Sequence, residues 1–169
     1  PELPEIRKPD GSLDSAAQYY QYRDHFWDNF DLTDERIVRV PVFANKFDEF
    51  YTKTLPQVPD TLTAQADRLI ARTKDKGEVF KYLVNTITHK AETSDIMGMD
   101  AVFVHMGQTY YCPTNGQPGR VDWMPEDKLT KLCERVQKQA PLVIGRKAPY
   151  LCLTDTTEQK WINFYDLPQ

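Results

Sequence analysis

The sequence predicts a mainly α fold, an array of about six amphipathic helices followed by a C-terminal β-hairpin. Two observations predict it. From Ser12 to Pro141, apolar residues recur near a 3.6-residue period in successive blocks, each bounded by Pro, Gly or a capping side chain. Beyond Pro141 the period changes, and two short β-prone runs, YLCLTD and KWINFYD, flank the polar stretch TTEQ. Composition supports a folded body: the 169 residues are 40% apolar and 12% aromatic, unlike a disordered chain. A chain of this length buries about two thirds of its extended surface and needs no cross-links to stay folded.

Residues 1–11 carry three prolines and no periodicity, so they form an extended arm. The helical domain spans 12–141, and 142–169 hold a connector and the hairpin. In the first helix Ser12 is the expected cap, and Tyr19, Tyr20, Phe26, Trp27 and Phe30 recur at helical spacing opposite the solvated Arg23, Asp24 and Asp28. DLTDER breaks it. The second runs from Pro41 to about Leu55, with Phe43, Phe47, Phe50, Tyr51 and Leu55 as one stripe and proline in its first turn. LPQVPD ends it, because each proline disfavours a helical residue before it.

Asp60 offers a cap for the third helix, with Leu62, Ala66, Leu69 and Ile70 facing inward. Asp75 and Glu78 have capping-box spacing ahead of a fourth, whose apolar face is Val79, Phe80, Leu83, Val84 and Ile87. Ser94 or Asp95 caps a fifth carrying Met99, Val102, Phe103, Met106 and Tyr110. CPTNGQPGR is a loop. The sixth helix starts near Pro125, presents Leu129, Leu132, Cys133, Val136 and Ala140, and stops at Pro141.

Charge and motif content exclude several functions. The net charge is -4 and Lys and Arg are scattered, so no nucleic-acid partner is expected. No run approaches the ~20 apolar residues of a membrane span, and the first residues carry no signal-peptide pattern. There is no nucleophile elbow, phosphate loop or metal motif, so neither a cofactor nor a metal is expected. His25, His89 and His105 share no ligand spacing. Asp24, Asp28, Asp31, Asp34 and Glu35 lack the alternation and glycine of a calcium loop and act as a solvated, capping face.

Cys112, Cys133 and Cys152 form no CxxC pair. Three part-buried thiols are the expected state, with a Cys112–Cys133 bridge as the alternative. Cys112, beside the loop, is the thiol expected to be exposed and the first candidate for reactivity. Tyr19, Tyr20, Tyr22, Trp27, Met97 and Met99 are the candidate partner surface: the aromatics exceed what one helix face buries, and Tyr and Trp dominate interface hot spots.

Two resemblances add to this reading. IGRKAPYLCLTDTTEQKWINFYDL resembles the opening of thioredoxin-like domains of the ResA/TlpA and peroxiredoxin-related type, whose G-x-x-A-P element matches Gly145, Ala148 and Pro149. The blocks YRDHFWDNFDLTDERIVRVPVFANKFDEFY, EVFKYLVNTITHKAETSDIMGMDAVFVHMGQTYY and LCERVQKQAPLVIGRKAPYLCL resemble an uncharacterised helical domain. That domain precedes the thioredoxin-like domain in cell-envelope proteins of anaerobic Gram-negative bacteria. The resemblance implies an exported or lipid-anchored protein of the periplasm or outer envelope, with a thioredoxin-like thiol-disulfide oxidoreductase domain as partner in the same polypeptide.

The expected function is therefore that of a non-catalytic accessory domain, which positions the enzyme or its protein substrates. The alternatives are a stand-alone peptide- or glycan-binding module, or a hydrolase using a carboxylate and a histidine in a helical pocket.

Overall fold

The periodicity becomes six α-helices among the described residues, followed by a two-stranded antiparallel hairpin. The computed structural model describes residues 4–114, 116–147, 149–154, 161–163 and 165. The expected TTEQ turn and Ala148 lie outside them. The helices are α1 (Ser15–His25), α2 (Pro41–Asp48), α3 (Pro59–Ile70), α4 (Glu78–Glu92), α5 (Met99–Met106) and α6 (Glu126–Gln139). Two of them widen into π-helical turns, α2 into Glu49–Thr54 and α5 into Gly107–Tyr111.

Several helix starts use a different residue from the one expected. The cap of α1 is Asp14, whose carboxylate accepts from the Ala17 N–H at 3.0 Å. Ser12 is held in the preceding turn, where its N–H and hydroxyl both donate to Asp10. Val58 precedes α3, with Pro59 at its first position and Asp60 in its first turn, next to the positive end of the helix. At α4 the capping carboxylate is Glu35, which accepts from the Glu78 N–H across 43 residues, while Asp75 pairs with Arg120 at 2.7 Å. Ahead of α5, Ser94 accepts from the Ile96 N–H. The cap itself is Gly98 at φ +88°, a left-handed conformation that side chains disfavour.

α1 also stops earlier than its aromatic pattern predicts. It ends at His25, and Phe26 and Trp27 turn inward to bury against Phe50 and Phe43. Lys46 of α2 then sets its ammonium over three rings, 4.2 Å from the Phe26 centroid, 5.1 Å from Phe30 and 5.9 Å from Trp27. This accounts for Phe26, Trp27 and Phe30, which pack against the core and face a cation, but not for Tyr20 and Tyr22, which stay exposed.

The core is built on α4, whose Val79, Phe80, Leu83, Val84 and Ile87 are all fully buried. Phe43 and Phe47 reach it from α2, Leu62 and Ile70 from α3, and Val102, Phe103 and Met106 from α5. Each such side chain contributes about 1.5–3 kcal/mol through removal from water. α6 is peripheral: Val136 is buried, and Leu129, Leu132, Cys133 and Ala140 are partly so. The hairpin pairs β1 (Cys152–Thr154) with β2 (Trp161–Asn163), with Leu153 opposite Ile162. Its apolar residues Leu153, Trp161 and Ile162 are exposed.

Candidate functional site

A cleft of about 550 Å³ opens between α3, α5 and the connector at Val143–Arg146. α3 and α5 form its floor and run in the same direction. Pro59 and Ile144 both close on Gly98, their carbons 3.3 and 3.9 Å from where a Cβ would stand. Further along the seam, His105 meets Asp67. Small side chains, Thr63 and Ala101, keep the floor open.

A polar cluster beside the cleft centres on Asp67. His105 Nε2 lies 2.9 Å from Asp67 Oδ2, and the Tyr110 hydroxyl donates to Oδ1 at 2.7 Å. Burial raises the Asp67 pKa, but the hydrogen bonds from His105 and Tyr110 outweigh it, so the carboxyl sits below its ordinary value. Tyr110 is pushed the other way by burial first, then by the Asp67 hydrogen bond and charge, which keeps it a donor. Arg120 stacks over the Tyr110 and Phe80 rings while bonding Asp75.

Chemically, the arrangement supplies an imidazole oriented by a carboxylate at the wall of a cleft. No side-chain nucleophile is bonded to His105 among the described residues. The Thr63 hydroxyl donates to the carbonyls of Pro59 and Asp60 at 3.0 Å each. Asp60, Gln108 and Arg146 supply further polar groups to the lining.

The expected exposed thiol is a correction. Cys112 is 9% exposed and forms a disulfide with Cys133. The packing of α6 against the π turn brings their Cα atoms to 5.6 Å, within bridging range. Cys152, in β1, is the free cysteine among the described residues.

The candidate partner surface divides. Trp27, 2% exposed, and Met99 belong to the core, because α1 ends before Trp27 and Met99 opens the buried stripe of α5. Tyr20 and Tyr22 are exposed on α1 and Tyr19 is half-buried. Met97, 86% exposed, sits at the cleft beside Gly98. The family described as Domain of unknown function (DUF5106) matches residues 2–139, most of the chain.

The chain belongs to the DUF5106 family. No curated protein and no solved structure matches it. Within this DUF5106 chain no group of three metal-ligating side chains converges among the described residues. His25 pairs with Asp28 on the surface at 2.5 Å. Asp31 and Asp34 accept from the backbone of Thr33 and Arg36. The sequence places Tyr110 on the apolar stripe of the fifth helix and gives no sign of its bond to Asp67. Their signal is positional: Asp67 adjoins the inward stripe of α3 and His105 that of α5, so both stand at the edges of buried faces.

Proposed function

We propose that this chain is a non-catalytic accessory module of an exported thioredoxin-like thiol-disulfide oxidoreductase, positioning that enzyme or its protein substrates. The observation that carries the reading is the exposed apolar hairpin. Leu153, Trp161 and Ile162 lie open to solvent, on a two-stranded element of a kind that is marginal in water without further packing. A thioredoxin-like neighbour that continues this sheet supplies that packing. The resemblance of Gly145–Leu167 to the start of such a domain supports the same partner.

Sulfur chemistry agrees with this placement. Dithiol exchange needs a thiolate with a resolving thiol at hand, whereas Cys112 is committed to Cys133. A bridge of this kind suits an oxidising compartment such as the periplasm or outer envelope.

The test has two arms. In an insulin-reduction assay with dithiothreitol, the chain alone is expected to give no turnover above buffer; turnover lost in Cys152→Ser overturns the non-catalytic reading. In sedimentation velocity, the thioredoxin-like domain of the same polypeptide, produced separately, is expected to bind the chain. Leu153→Ser with Trp161→Ser weakens that binding at least tenfold, and no association overturns the positioning role.

A second reading rests on His105 and Asp67. A base oriented by a carboxylate at a cleft wall is one half of a hydrolytic site, and with Thr63 committed to backbone carbonyls the nucleophile is a bound water. Hydrolysis of nitrophenyl esters or acyl-peptides that disappears in His105→Gln supports it; an inactive parent chain rejects it.

A further inference from the structure

The cleft holds two opposite charges without partners. Asp60 and Arg146 both line it, and among the described residues neither side chain makes an ion pair or hydrogen bond. Both side chains are exposed. Arg7, Arg23, Arg36, Arg68, Arg120 and Arg135 each pair with a carboxylate, while Arg39 and Arg72, away from the cleft, share the unpaired state of Arg146 among the described residues. Both unpaired groups stand at the same end. Asp60 follows Pro59 and Arg146 lies two residues past Ile144, and those two residues are the ones that close on Gly98.

From that end the seam continues past Ala101 and Thr63 to His105 and Gln108. From Gly98 to Gln108 it spans about 15 Å at the helical rise of ~1.5 Å per residue. The lining thus offers an anion-binding guanidinium and a cation-binding carboxylate at one end, a floor of small side chains, and hydrogen-bonding groups at the other.

We propose that this cleft binds a small zwitterion of the amino-acid type, a free α-amino acid or a di- or tripeptide. Its ammonium pairs with Asp60 and its carboxylate with Arg146, while the rest of the molecule lies over the floor of Thr63 and Ala101 in the direction of His105. Two charges fixed by opposite partners discriminate against molecules carrying either one alone, since each leaves a charged group of the site unpaired. The cleft lies within the 300–1,000 Å³ range of small-molecule sites, about 550 Å³. The site stands independently of the accessory role and of any chemistry at His105.

The test is nuclear magnetic resonance titration of the ¹⁵N-labelled chain with each of the twenty free amino acids and with the dipeptide Ala-Gln. Saturable shifts are expected at the amides of Thr63, Ala101 and Gln108 for at least one probe. Stronger response to the dipeptide than to any amino acid assigns the ligand to peptides, and the reverse to free amino acids. N-acetylation or amidation of the best probe, Asp60→Asn and Arg146→Gln each weaken binding at least tenfold. Ala101→Trp, on the half-buried floor, abolishes it while the circular dichroism of the helices is retained. Absence of saturable shifts with every probe, or equal binding of the doubly blocked analogue, overturns the proposal.

Discussion

Val136 of α6 lies against Gly107, the residue at which α5 passes into its π turn. A Cβ on Gly107 would stand within the Val136 side chain, so the close approach of the two elements requires glycine. Around this contact α6 is fixed by three further links: the Cys112–Cys133 bridge, the Arg135–Glu92 ion pair, and the Arg135 guanidinium 4.6 Å over the Phe103 ring.

Gly107→Ala is therefore expected to destabilise the chain by about 1–3 kcal/mol, the range for overpacking a tight contact. Val136→Ala in the same background relieves the clash. A double-mutant cycle in urea should show the second change recovering part of the first; simple additivity would refute the contact.

The bridge closes a loop over a sequence separation of 21. Constraining the unfolded chain over that length contributes about 3 kcal/mol. Cys112→Ser with Cys133→Ser, or dithiothreitol, should lower the thermal midpoint by several degrees while leaving helical content near that of the parent. Because α4 carries the core, unfolding after reduction begins with loss of protection at α6 amides in hydrogen exchange. Uniform loss across all helices would contradict this.

Asp67 carries the pH dependence of the seam. Its folded pKa is depressed, so the stability it contributes is present above the unfolded value near ~3.9 and is lost as pH falls through the lower folded value. The parent should lose stability more steeply below about pH 4 than Asp67→Asn. Tyr110, raised by burial and by Asp67, acts at the alkaline end. There, stability is lost as pH rises past the unfolded tyrosine value near ~10, and Tyr110→Phe should make that limb shallower, the rest coming from other buried tyrosines such as Tyr51 and Tyr111. Urea midpoints measured across pH 3–11 check both signs.

Helix existence was legible where a stripe is long and period-matched, as in Val79, Phe80, Leu83, Val84 and Ile87, whereas Phe26, Trp27 and Phe30 lie past the end of α1. Helix starts were less legible. Asp75 and Glu78 have the local spacing of a capping box, but Glu35 takes the cap from far along the chain, and a contact across 43 residues leaves no local pattern. The same holds for the cleft: Asp67 and His105 meet only because α3 packs on α5, and Arg146 joins the lining only through the path of the connector. Cys112 read as exposed because a loop follows it, whereas α6 folds over that position.

Lys46 tests whether the aromatic cluster after α1 is held by charge as well as by burial. Its ammonium faces Phe26, Phe30 and Trp27, and its stem covers apolar surface that Met would cover equally. Lys46→Met therefore removes the cation while keeping the packing, and should destabilise by about 0.5–2 kcal/mol, the range for a partly desolvated cation–π contact. Lys46→Arg keeps the charge and should retain most of the stability. Equal stability of the Met and Arg variants would show that the stem alone matters, and would reduce the cluster to ordinary core packing.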